Sequence, residues 1–263
     1  MQQPRPLPAN QRPGHLSTEA PVANPCASGR TLYRHTVAPP GDRFFVENDG
    51  FDSHRPDACG TTPAMAKLYF SFAAMNAGKS TLLLQASHNY VERGMRTLLF
   101  TSALYAEGGV GLISSRIGID SEAELYGDGD DLFARIRDLN EESKVDCVFV
   151  DEAQFLTAEQ VWQLARVADR LHIPVMCFGL RTDFQGKLFP GSSELLAIAD
   201  ELREIRTICY CGRKASMVVR RNAEGGALTE GEQVSIEKSV YVSLCRQHWE
   251  EETGRWPVKG PRL

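Results

Sequence analysis

Apolar residues come in short runs separated by polar, glycine-rich stretches, and the spacing within each run predicts an element. Leu68, Tyr69 and Phe70 make a brief strand, small residues follow, and Gly78-Lys79-Ser80 opens a helix carrying Leu82, Leu83 and Leu84. That helix is expected to run to about Arg93, where Gly94 supplies a stop. Residues 97–101 (TLLFT) form a second buried strand, whereas 102–131, rich in glycine and acids, reads as a loop excursion. Phe133, Ile136 and Leu139 give 132–140 a helical spacing, and 145–151 is an apolar strand ending in Asp151-Glu152. Val161, Leu164, Ala165, Ala168 and Leu171 stripe the next helix. A strand at 174–179 and a helix marked by Leu195, Leu196, Ile198, Ala199 and Leu202 complete the series.

Strands apolar on both faces and alternating with helices predict an α/β fold, a parallel sheet covered on each side. After Arg206 the pattern changes to short alternating strands, which predicts a second, smaller β-rich module. Residues 1–64 lack such runs and hold ten of the fourteen prolines. A segment of that kind buries too little surface to offset its ordering entropy and is expected to be a disordered extension. Its first forty residues carry several arginines and a single acid, Glu19, as transit peptides do, but the prolines deny it an amphipathic helix. Met65 is the expected functional start.

Composition narrows the classes. A net charge of −5 with 42% apolar residues fits a globular chain and argues against nucleic acid as the main partner, since duplex binding draws on many basic contacts to phosphate. No apolar run approaches the roughly 18 residues of a membrane helix, and no secretory signal pattern is present. The seven cysteines are an odd number, and Cys147 and Cys177 fall inside strand runs. A reducing compartment with a cysteine-based metal site is expected instead of a disulfide framework.

The strand, loop and helix over 67–84 are the setting of a phosphate-binding loop, in which loop N–H groups and a helix N-terminus converge on phosphate oxygens. Lys79 then reaches the terminal phosphates and Ser80 holds magnesium. The first position of GxxxxGK[ST] is Ala73 here, which costs nothing only where the backbone suits a non-glycine residue. Asp151, about seventy residues on at a strand end, is the expected magnesium partner of Ser80. Glu152 is placed to accept a proton from the group attacking the γ-phosphate: a hydroxyl makes the protein a kinase, water an ATPase. Cys209 and Cys211, answered by Cys245 and His248, have the layout of a closed tetrahedral zinc site, although one residue between the first pair is fewer than usual. Such a site is structural and replaces a core that so short a segment lacks.

With these residues in hand, 66 to about 249 resembles the type II thymidine kinases, the cytosolic class with a P-loop α/β domain and a zinc-bearing lasso domain, and among them the bacterial branch. The matching stretches include MNAGKST (75–81), YVERGMRT (90–97), SSRIG (114–118), VDEAQFL (150–156), IPVMCFGLRTDFQGKLF (173–189), TICYCGRKASMVVR (207–220), EGEQVSI (230–236) and YVSLCRQH (241–248). The resemblance implies an extension over 1–64, a kinase domain over 65–204, a zinc lasso domain over 205–250 and a tail over 251–263. It implies transfer of phosphate from ATP to the 5′-hydroxyl of thymidine or deoxyuridine in the cytoplasm, with Glu152 as base, by a homotetramer under feedback from the triphosphate product. Ala73, Ala74, Met75, Asn76, Ala77, Gly78, Lys79, Ser80 and Thr81, with Asp151, Glu152, Ala153 and Gln154, are the implied nucleotide-binding residues. Met75, Phe155, Leu180, Phe184, Phe189 and Tyr241 are the implied lining of the pyrimidine pocket, and each is equally a type of residue that fills a core.

The chain departs from the family pattern twice. Leu104-Tyr105-Ala106-Glu107 stands where an Asp/Arg element helps hold magnesium and phosphate, with Arg116 the expected substitute cation. Glu237-Lys238 replaces a Gly-Gly pair in a lasso loop one residue shorter than usual. Two other classes stay open: a zinc-ribbon P-loop ATPase acting on nucleic acid, which shares the Asp-Glu pair and the cysteines, and, given the two departures, a nucleotide-binding relative without turnover.

Overall fold

The computed structural model describes residues 66–105, 111–233 and 240–255; the extension over 1–64, Ala106-Glu107 and Glu237-Lys238 lie outside them. In chain order, β1 (Leu68–Ala73) leads through the loop to α1 (Lys79–Val91), and β2 (Thr97–Ser102) follows. β3 (Leu112–Ser114), β4 (Asp120–Glu122), β5 (Glu124–Tyr126), α2 (Leu132–Glu142) and β6 (Cys147–Val150) come next. A 3-10 turn (Ala153–Phe155), α3 (Ala158–Leu171), β7 (Val175–Leu180), α4 (Pro190–Ile198) and β8 (Glu201–Glu204) complete the larger half. The smaller half holds β9 (Thr207–Ile208), β10 (Lys214–Ala215), β11 (Met217–Arg221), β12 (Ala227–Leu228), β13 (Val240–Leu244) and α5 (Arg246–Glu252).

Six strands form one sheet in the order β5-β2-β6-β7-β1-β8, every neighbouring pair parallel. Parallel pairing requires crossovers, which place helices on both faces and bury the central strands twice over. β6 shows the consequence. Val148 and Val150 join the layer with Leu164 and Val167, while Cys147 and Phe149 point the other way to Leu83 and Leu84 of α1. α3 is fixed at its start by a capping box: Thr157 Oγ1 accepts from the Gln160 N–H at 3.2 Å and Gln160 Oε1 accepts from the Thr157 N–H at 3.0 Å.

Two expectations fail. Residues 102–131 are not a loop throughout, because β3 and β4 pair as an antiparallel hairpin and β5 adds to the sheet beside β2. These strands are only three residues long, and β4 and β5 carry acids, so their pairing rests on backbone and leaves no apolar period to read. The last helix of the larger half ends at Ile198 rather than at Leu202. Asp200 takes the chain into the sheet: its carboxylate accepts from the Leu68 N–H at 2.7 Å and its own N–H donates to the Leu68 carbonyl at 2.9 Å. Leu202 then pairs with Phe70 on the edge strand β8.

The smaller half pairs β9 with β10 and arranges β12-β11-β13, all antiparallel. Its buried cluster is Cys209, Ala215, Val219, Leu244, Cys245 and Trp249. Trp249 reaches the larger half: its indole N–H, donating to the Val218 carbonyl at 3.0 Å, also lies 3.2 Å from the carbonyl of Phe184.

Candidate active site

The C-terminal ends of β1 and β6 meet at one edge of the sheet, where open α/β sheets place their ligands. Ala73 is the last residue of β1 and sits in ordinary strand conformation, so alanine replaces glycine there without strain. The loop then turns on Asn76 at φ 60° and Gly78 at φ 83°. A Cβ on Gly78 meets nothing within 4 Å, so it is the left-handed backbone and not a lack of room that calls for glycine. Lys79 is the first residue of α1 and is buried, 8% exposed. One turn of chain thus carries loop N–H groups, the positive end of α1 and an ammonium to the same edge.

Ser80 joins the loop to β6, its hydroxyl donating to Asp151 Oδ2 at 2.8 Å. Asp151 is 3% exposed, and its other oxygen accepts from the Glu152 N–H at 3.0 Å. Burial, and next the Glu152 charge, push Asp151 up to about 6 against the opposing pull of the Ser80 hydroxyl and Lys79. A hydroxyl and a carboxylate oxygen side by side are the hard donors that magnesium takes, and a cation there would offset a buried charge. Glu152 follows in the left-handed region at φ 53° and is half-buried. Its carboxylate accepts from the Gln154 side-chain amide.

Not every expected residue faces this edge. Ala153 and Gln154, expected to touch nucleotide, are 0% and 1% exposed and form the turn beneath the site; Gln154 Oε1 instead accepts from the Leu180 N–H at 2.9 Å. The Gln154 side chain packs against β7, where a Cβ on Gly179 would come within 2.9 Å of its Oε1. Among the expected pocket residues, the structure brings Phe155 to Phe189, and Met75 and Tyr241 lie where the loop meets β13. The Ser243 hydroxyl donates to the Met75 carbonyl at 2.5 Å and the Asn76 amide reaches the Tyr241 carbonyl at 3.4 Å, so β13 runs along the phosphate loop. Phe155 meets Phe189 edge to face at 5.7 Å. Met75, Phe155 and Tyr241 are half-buried and open to contact, whereas Leu180, Phe184 and Phe189 are buried. Phe184 lies under the Arg220 guanidinium at 4.0 Å. Arg116 sits exposed in the turn between β3 and β4.

The Cys209, Cys211, Cys245 and His248 donor atoms all lie within 4.8 Å of one another. Cys209 Sγ is 3.3 Å and Cys245 Sγ 3.5 Å from His248 Nδ1, and Cys211 Sγ is 3.9 Å from Cys245 Sγ. These are the separations of ligands about 2.0–2.3 Å from a common tetrahedral centre. Gly212, at φ 80°, turns the chain so that its N–H donates to the Cys209 carbonyl at 2.8 Å. Cys245 caps α5, whose first turn presents His248. Burial alone would raise the Cys209 thiol, but the N–H groups of Cys211 and Cys245 with His248 bring it down to about 6, favouring the thiolate that a soft metal takes.

Sequence reasoning missed Tyr126, whose hydroxyl donates to the Glu152 carbonyl at 2.8 Å, because the strand carrying it was read as loop. It also missed Arg220 and Trp249 as the residues joining the smaller half to Phe184; neither stands in a pattern that spacing could reveal.

A parallel sheet with a Gly-Lys-Ser loop at one strand end and a Ser80–Asp151 contact to another defines a P-loop nucleotide-binding fold. The thymidine kinase family model matches residues 66–249. A thymidine kinase of Mesorhizobium japonicum is 70% identical over 191 residues, 73% of this chain and 94% of its own length. One of Ruegeria pomeroyi is 64% identical over 197 residues, 74% of this chain and 100% of its own, and one of Photobacterium profundum is 54% identical over 192, again its whole length. The chain belongs to the thymidine kinase family.

Proposed function

We propose that this chain transfers the γ-phosphate of ATP to the 5′-hydroxyl of thymidine or deoxyuridine. The observation that carries this reading is the Ser80–Asp151 contact with Glu152 as the next residue, since it sets magnesium donors and a proton acceptor side by side. The loop 73–81 cradles the triphosphate through its N–H groups and Lys79 neutralises charge on the transferring group. Ser80 and Asp151 would hold magnesium, which would supply charge withdrawal from the phosphate oxygens. Glu152 takes the proton of the sugar hydroxyl as it attacks. The pyrimidine lies between Met75, Phe155 and Tyr241, with Leu180, Phe184 and Phe189 forming the wall behind.

Cys209, Cys211, Cys245 and His248 would hold zinc with four protein ligands, which would make it a structural tie. The domains follow as a kinase domain over 65–204 and a lasso domain over 205–250. The enzyme works in the cytoplasm as a homotetramer; no helix among the described residues is long and apolar enough to cross a membrane, and the reduced thiols of the cluster suit that compartment.

The test incubates purified protein with ATP, magnesium and a nucleoside panel. Thymidine-dependent ADP release with formation of the 5′-monophosphate is the expected result. ATPase activity stimulated by nucleic acid instead, or nucleotide binding without turnover, would reject it. Glu152→Gln should lower kcat by about 10² to 10⁴-fold with folding intact. Native mass, expected at four chains, checks the assembly.

A further inference from the structure

Glu152 occupies a conformation that a non-glycine residue adopts only when its surroundings hold it there. Four bonds do so. Its N–H donates to Asp151 Oδ1 at 3.0 Å, and its carbonyl accepts from the Phe155 N–H at 3.0 Å and from the Tyr126 hydroxyl at 2.8 Å. Its carboxylate accepts from Gln154. Of the two side chains that donate here, Tyr126 comes from furthest away. It stands on the edge strand β5, opposite Ser102 of β2, and its hydroxyl reaches past β2 to the end of β6. The ring is 1% exposed and embedded in the main apolar layer, and the hydroxyl also meets the Ser102 side chain. The Asp151 carbonyl lies 3.4 Å from the same oxygen.

We infer that Tyr126 is a positioning residue for phosphate transfer: its buried hydroxyl fixes the main chain of Glu152 in the left-handed turn that aims the carboxylate at the sugar hydroxyl, while Gln154 fixes the carboxylate from the other side. The inference rests on Glu152 acting as the base. Tyr126 touches neither substrate nor phosphate and acts through one residue. Losing the hydroxyl frees the turn to relax toward ordinary backbone angles, which swings the carboxylate away from the attacking oxygen. Misplacement by about 1 Å is enough to cost a reaction up to about 100-fold.

A kinetic double-mutant cycle on the full chain separates positioning from simple packing. Tyr126→Phe should lower kcat about tenfold with the KM for ATP unchanged, because the phosphate loop is untouched. In a Glu152→Gln background the same change should cost nothing further, since no carboxylate remains to aim. Gln154→Glu, which keeps the acceptor for the Leu180 N–H but sets a second carboxylate against Glu152, should lower kcat similarly and is the second arm should Tyr126→Phe fold poorly. Wild-type turnover in Tyr126→Phe, or in Gln154→Glu where Tyr126→Phe does not fold, or equal losses from Tyr126→Phe in the presence and absence of the Glu152 carboxylate, would overturn the inference. If Glu152→Gln alone keeps near wild-type turnover, it is the base assignment that fails, and the two failures are read from different corners of the cycle.

Discussion

The two halves of the molecule are stabilised by different means. In the larger half nineteen buried residues form one apolar layer and α1 closes a second, so that burial alone accounts for a cooperative fold. The smaller half buries six residues together, and two of the six are cysteines of the metal cluster. Its strands are two to five residues long, too short to hold by pairing. Where apolar area is scarce, the four clustered donors offer a site at which a metal could take its place. The halves nonetheless depend on one another, since β13 of the smaller half lies along the phosphate loop of the larger.

Metal removal should break this contrast most sharply. Structural zinc contributes on the order of 10 kcal/mol to folding in small zinc modules. A chelator, or Cys245→Ser, should abolish amide protection across 207–252 while the central strands β1, β6 and β7 keep theirs. Turnover should fall with it, because Tyr241 and Ser243 no longer meet the loop. Hydrogen exchange with metal analysis checks this; loss of protection in both halves together would mean that the larger half is not self-sufficient.

The converse change strikes the apolar layer. Leu164, fully buried on α3, should cost about 2 to 5 kcal/mol as Leu164→Ala, through lost burial and the cavity left behind. Denaturant midpoints should drop accordingly while one zinc per chain is retained at low denaturant.

A charge inside the larger half sharpens the comparison from the opposite direction, because there burying an ionised carboxylate is a cost. Unfolded Asp151 ionises near its ordinary 3.8 but in the fold only near about 6. Between those values the native state holds a proton that the unfolded chain has lost, so stability falls as pH rises through that window, and the penalty is complete above it. The shift corresponds to at most about 3 kcal/mol. Asp151→Asn should therefore stabilise the magnesium-free protein at pH 7.5, with the gain shrinking at pH 5, while magnesium-dependent turnover disappears. Urea midpoints at the two pH values measure it. An equal gain at both would show that the buried charge is not its origin.

What was legible in the sequence follows the same division. β1, β2, β6 and β7 could be read because strands buried on both faces are continuous apolar runs, and the Gly-Lys-Ser loop and Asp151-Glu152 lie at their ends. The cluster ligands were legible because ligand spacing is local. β5 and β8 were not, since an edge strand needs one apolar face or none and is joined by backbone bonds such as those of Asp200 to Leu68. With β5 went Tyr126, whose partner lies two strands away. The burial of Ala153 and Gln154 was not legible, because adjacency to Asp151-Glu152 says nothing about which way a 3-10 turn faces.

The smallest effect is expected from removing 1–64, which tests whether the two halves are the whole of the working protein. The family match begins at 66, and the Ruegeria pomeroyi relative is matched along its full length by 197 residues. The first strand needs nothing before it: the Leu68 N–H donates to Asp200 Oδ2 and β1 pairs with β7 and β8 on its two sides. A chain starting at Met65 should match the parent to within about 0.5 kcal/mol in stability, the range of changes that touch no packed or bonded group, and to within twofold in kcat/KM, roughly the same energy. A larger loss in stability alone would point to packing of the extension against one of the halves. A larger loss in kcat/KM alone would point to the phosphate edge, where β13 and the loop already meet.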